Sequence, residues 1–125
     1  MKARIASALL LGGLLASGFA VAECVYPKAP TNIPDGKTAT EEEMIAGMRA
    51  VKEYNEQVNA YLSCLEMKTQ SDIAAAGSDA SPETIAQIKA INAKRHNAAV
   101  EELEAHAARF NEQVRIFKAR GKQKS

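Results

Sequence analysis

Two long amphipathic segments, separated by one short break, constrain the fold of this chain more than any other feature. Apolar residues recur three or four positions apart in both, as they do along one face of a helix. In the first segment they are Met44, Met48, Val51, Tyr54, Val58, Tyr61, Leu62 and Leu65. In the second they are Ile85, Ile88, Ile91, Val100, Leu103, Ala107, Phe110, Val114 and Phe117. The spacing predicts two long helices.

Local signals indicate where these helices begin and end. Thr40 and Glu43 form a capping-box pattern, and a Gly-Ser-Asp sequence at 77–79 breaks the first helix. Ser81 is suited to cap the second helix, with Pro82 at its first position. We therefore expect helices at about 40–76 and 81–119, which together form a hairpin over 40–119, followed by a polar basic tail at 120–125.

The short connection and the distribution of charge predict an all-α fold, an antiparallel two-helix hairpin that resembles a coiled coil. Residues 41–66 hold six acidic residues against Arg49 and Lys52, whereas residues 109–125 hold six basic residues against Glu112. Folding about the break lays these oppositely charged ends side by side. Because like charges would repel there, the pattern favours this arrangement.

The first 22 residues have the pattern of a secretory signal peptide. Lys2 and Arg4 precede an apolar run, and Ala20 and Ala22 supply the small residues of a cleavage site after Ala22. Glu23 separates Ala22 from Cys24, which argues against a lipid anchor. We expect a periplasmic or secreted protein without a membrane span.

The segment at 23–39 should form an extended, Pro-rich arm, because Pro27, Pro30 and Pro34 disfavour helix. An even pair of cysteines, Cys24 and Cys64, predicts a disulfide that ties this arm to the first helix. A bridge between the Cys24 residues of two chains is the alternative. The apolar contacts expected of the arm are Val25, Tyr26 and Ile33.

An internal repeat links the two helices: YNEQVNAY at 54–61 returns as FNEQVRIF at 110–117. In the interpretation that we favour, the aromatic residues and the valine form the same core pattern on both helices. In the alternative, the aromatic and asparagine side chains form two related binding edges, whose residues are Tyr54, Asn55, Tyr61, Phe110, Asn111 and Phe117.

No residue pattern indicates catalysis, so we expect neither an enzyme nor a cofactor. His96 and His106 lie ten residues apart and cannot share a metal ion within one helical segment. A carrier of a small molecule, haem or metal remains an alternative, with His96 or His106 and Met44 or Met48 as ligands. A second alternative is binding to an anionic envelope surface through the basic C-terminus, which includes Arg115, Lys118 and Arg120.

The sequences YLSCLE at 61–66, after a Pro-rich segment with an early cysteine, and FNEQ at 110–113 resemble small exported proteobacterial proteins of unknown function. The resemblance covers most of the chain after residue 22, and it implies no activity.

Charge gives no support to a nucleic-acid partner, because removal of Lys2 and Arg4 with the signal peptide leaves a net charge of −1. The leading hypothesis is a non-enzymatic envelope protein that binds another envelope protein or assembles with itself as a homodimer. Its helices expose long apolar faces and have little further chain to cover them.

Overall fold

The computed structural model describes residues 23–123, which form a helical hairpin with a non-helical N-terminal segment. Helix α1 runs over Glu41–Ala76 and helix α2 over Pro82–Gln123. Within the described residues there is no strand, and no helix has the length and apolar character needed to cross a membrane. The expected signal peptide at 1–22 lies outside the described residues, as do Lys124 and Ser125.

The capping signals act as the sequence predicts. The backbone N–H of Glu43 donates to Thr40 Oγ1 over 3.2 Å, and the backbone N–H of Thr40 donates to Glu43 Oε2 over 2.8 Å. Helix α1 ends at Gly77, whose φ of 87° is not helical. Glycine suits this position because a residue with a side chain rarely adopts such a φ. The backbone N–H of Thr84 donates to Ser81 Oγ over 3.1 Å, so both helices begin at a capping side chain.

Helix α2 continues to Gln123, beyond the predicted end at Ala119, so the expected tail is partly helical. The guanidinium of Arg120 donates to the backbone carbonyls of Lys37 and Ala39, each over 2.7 Å. It also lies 4.8 Å from the centre of the Phe117 ring. These contacts hold the last turns in place, although a glycine such as Gly121 costs a helix about 1 kcal/mol relative to alanine.

Facing contacts show how the two helices pack. The Tyr54 and His106 rings meet edge to face with their centres 5.5 Å apart. Gly47 lies against Phe110, where an added Cβ would come within 2.7 Å of the ring. The early part of α1 therefore lies beside the late part of α2.

The arm, residues 23–39, lies along one side of this hairpin. The disulfide between Cys24 and Cys64 is present within the single chain, with the Cα atoms 5.7 Å apart. Tyr26 packs edge to face on Tyr61, with the ring centres 5.2 Å apart. At the other end of the arm, the backbone N–H of Gly36 donates to Gln113 Oε1 over 2.8 Å.

The expected arm contacts are correct for Tyr26 and Ile33, but not for Val25, whose surface is 84% exposed. Pro27, two residues later, is buried instead. Successive side chains of an extended segment point to opposite sides, so Val25 points away from the surface that its two neighbours Cys24 and Tyr26 contact.

The α2 residues that face α1 are not all those that the apolar spacing predicted. Met48 and Ile91 are 57% and 55% exposed, and Val100 and Ala107 are only half-buried. The α2 residues that face α1 are instead Asn92, Ala99 and His106, which are spaced by seven and less than 9% exposed, together with Phe110 of the predicted seam at 6%. The small side chain at Ala99 and the flat ring of His106 accommodate the bulky α1 side chains Tyr54, Val58, Tyr61 and Leu65.

Candidate interaction surface

Two polar side chains, Tyr54 and His106, are enclosed at the centre of the hairpin. Tyr54 is 2% exposed and His106 is 2% exposed. Neither the Tyr54 hydroxyl nor His106 Nδ1 has a hydrogen-bond partner. Burial raises the pKa of Tyr54, and burial followed by the charge of Arg109 lowers the pKa of His106. This pair is a neutral part of the core.

Acid should therefore weaken the fold through His106. Its folded pKa is lower than the value of about 6.5 expected in the unfolded chain, so below pH 6.5 the unfolded state binds a proton that the folded state resists. The stability present above pH 6.5 is lost progressively as the pH falls towards the folded pKa. Urea unfolding at pH 7.5 and pH 5.5 should show a lower midpoint at pH 5.5.

The matched control for this effect is the exposed His96. His106→Leu should reduce the loss of stability between pH 7.5 and 5.5, whereas His96→Gln should leave it as in the wild-type chain. An equal pH dependence in all three chains would show that His106 is not its source.

The arm makes polar contacts with α2 on the same side of the hairpin as the disulfide. The Tyr26 hydroxyl donates to Glu102 Oε2 over 2.7 Å, and this hydrogen bond is the largest of the effects that raise the pKa of Tyr26 to about 12. The neighbouring charges Lys28 and Arg109 are exposed on the same side. One side of the hairpin is thus covered by the arm and bordered by charged groups.

The opposite side of the hairpin is uncovered. It carries half-buried apolar residues that pack against the two core clusters from outside, with uncharged asparagines between them at helical spacing. Met48, 57% exposed, belongs to the same row. We call this surface the open face; its residues are Met48, Val51, Asn55, Asn59, Leu62, Val100, Leu103, Ala107, Asn111 and Val114.

A shallow groove extends the open face towards the turn between the helices. Both helices line it and the arm contributes nothing to it. Its residues include Asn59, Leu62, Glu66, His96 and Asn97. The groove therefore lies between α1 and α2 without cover from the described part of the arm.

The structure separates the residues of the internal repeat into two groups. Tyr54, Tyr61 and Phe110 are buried, and Phe117 packs beside them in a half-buried position. The asparagines at 55 and 111 are exposed on the open face. The aromatic side chains thus serve the core, as in the interpretation that we favour, and only the asparagines are available to a partner.

The basic residues near the C-terminus are partly engaged within the chain. Arg115 forms a two-bond ion pair with Glu112, with distances of 2.6 and 3.0 Å, which lowers the pKa of that carboxyl. Arg120 binds the arm, as described above, and Lys118 is exposed. These three side chains do not converge on one site.

Metal-binding residues are not gathered either. No group of three or more histidine, cysteine, aspartate or glutamate side chains in residues 23–123 has the geometry to hold a metal ion. Along the helices, His96 and Met48 lie roughly 20 Å apart, estimated from a rise of about 1.5 Å per residue and the facing contacts of α1 and α2. His96 and Met48, two of the candidate ligands of a carrier, are therefore not brought together.

Sequence reasoning assigned the open-face residues Val51, Leu62, Val100, Leu103 and Val114 to the seam inside the hairpin. A signal for the actual arrangement was present in the spacing by seven of Asn92, Ala99 and His106. Two of these three residues are polar, so the row does not stand out as an apolar stripe in the sequence.

The chain matches no family model, no curated protein and no solved structure.

Proposed function

We propose that this protein is an exported, non-enzymatic module that binds protein through its open face. The observation that supports this proposal is the asymmetry of the hairpin: the arm covers one side, while the other presents apolar and carboxamide side chains that charged residues border. Uncovered apolar surface of this kind is typical of interaction sites. The intrachain disulfide fits an oxidising compartment outside the cytoplasm.

The other two functions receive less support from the geometry. A carrier would need convergent ligands, but His106 is enclosed and His96 is distant from Met48. An anionic-surface binder would need free basic groups on one surface, but Arg115 and Arg120 are bound within the chain. We therefore place the partner on the open face.

Site-specific photo-crosslinking in the exporting cell tests this proposal. A photoreactive residue in place of Met48 should give a discrete crosslinked protein product, because Met48 is on the open face. The matched control is Met67, which is similarly exposed at 61% but follows Cys64 by three residues and so lies on the arm side of α1. Equal products at both positions, or no product at position 48, would contradict the proposal.

A further inference from the structure

We infer that the partner of the open face is a second copy of this chain, related by a two-fold axis parallel to the hairpin. In this dimer α1 of each copy lies over α2 of the other at the same level, forming a four-helix bundle. The inference rests on the proposed function, since it names the partner of the same surface. Size and charge support it independently.

The size of the surface is that of a stable dimer interface. From Glu41 to Glu66 the open face and its ends extend about 38 Å at ~1.5 Å per residue, and two adjacent helices are roughly 20 Å wide. Each copy would thus bury on the order of 750 Å², close to the ~800 Å² per partner of standard protein interfaces. A single additional helix would cover only part of this width.

Charged residues border the open face on both helices. Those on α1 are four or seven residues from open-face positions, and those on α2 are four or seven residues from such positions or, for Lys89, four residues before Ala93, which lines the groove; all are exposed. None makes a hydrogen bond or an ion pair within residues 23–123. We call them the rim residues; they are Glu41, Lys52 and Glu66 on α1 and Lys89, Glu104 and Lys118 on α2.

The rim residues of α1 and α2 are matched in level and opposite in sign. The facing contacts of Gly47 with Phe110 and of Tyr54 with His106 fix the levels of the two helices. On this scale each α1 rim residue has an α2 rim residue within roughly 7.5 Å along the helix axis, or at most five residues at ~1.5 Å each. The matched pairs are Glu41 with Lys118, Lys52 with Glu104 and Glu66 with Lys89.

Within one hairpin the two members of each pair point to opposite edges and cannot meet. When a second copy is placed face to face with its α2 over α1, each α1 rim residue comes opposite its α2 counterpart in the partner. All three pairs then join unlike charges, and the two-fold axis makes each of them twice. Complementary rims of this kind determine orientation and partner choice more than affinity.

Charge exchange in the mature chain, followed by sedimentation equilibrium, tests this arrangement. Wild-type protein should be a dimer, and Lys52→Glu or Glu104→Lys alone should raise its Kd roughly tenfold, because two attractions become two repulsions. The double variant should recover the wild-type Kd to within about twofold. A mixture of the two single variants should form heterodimers in preference to either homodimer.

Lys94→Glu is the matched control, because Lys94 is exposed on α2 but away from the open face, and its Kd should not change. A monomer at all concentrations, or a dimer whose Kd is the same in every charge variant, would overturn the inference. The proposed function is judged separately. If a photoreactive residue at position 48 crosslinks to a protein of a different mass while the chain alone is monomeric, the open face binds protein but not a second copy.

Discussion

Replacing Cys24 and Cys64 by serine is expected to lower the free energy of unfolding by about 4 kcal/mol. The disulfide closes a loop across a sequence separation of 40 residues, and its loss returns that conformational freedom to the unfolded chain. A domain of this size has a total stability of roughly 5–15 kcal/mol, so the change is a large share of it. The folded chain also loses the link that holds Tyr26 against Tyr61.

Urea unfolding followed by circular dichroism measures this effect. Wild-type protein in excess reductant is the control, and it should unfold at the same urea concentration as the Cys24→Ser/Cys64→Ser variant, since both lack the same bond. A difference between oxidised and reduced protein of less than about 1 kcal/mol would mean that the hairpin holds the arm without the disulfide, against the expected loop effect.

The second large effect is expected at Tyr54, the bulky side chain at the centre of the core. Tyr54→Ala should lower the free energy of unfolding by about 3–5 kcal/mol, because it leaves a cavity beside His106 and Val58, both almost fully enclosed. Differential scanning calorimetry of the purified variant measures this loss as a lower Tm.

Tyr54→Phe separates the role of the ring from that of the hydroxyl. The hydroxyl is buried without a hydrogen-bond partner, so its removal should leave the stability unchanged or raise it slightly. Tyr54→Phe should therefore melt at or above the wild-type temperature, although Tyr54→Ala melts well below it. A loss in the Phe variant as large as that in the Ala variant would show that the hydroxyl makes a stabilising interaction.

The local rules of helix formation predict three of the helix ends in this chain. The capping box at Thr40, the break at Gly77 and the cap at Ser81 each fix a helix end through contacts between residues close in sequence. The same is true of the even pair of cysteines, which predicted the disulfide that is present. For features of this kind the physical cause is local or covalent, and the printed sequence displays it.

The sequence predicted the apolar residues of the open face, but it did not predict that they form an uncovered surface. A stripe of apolar residues on a helix shows that one face avoids water, but its width at Val51, Leu62, Val100 and Leu103 exceeds what one neighbouring helix can cover. The rotation of each helix decides which part of that width becomes the core and which part stays open.

By itself the sequence determined the two helices, the start of each, the end of α1 and the cysteine pair available for a disulfide, because capping, turn and thiol chemistry act between few residues. Only the tertiary structure decided that α2 faces α1 with Asn92, Ala99 and His106 and that Arg120 holds the arm. Those choices depend on how bulky side chains from distant segments fit together. The open face exists because that fit, together with the arm, covers one side of the hairpin and leaves the other uncovered.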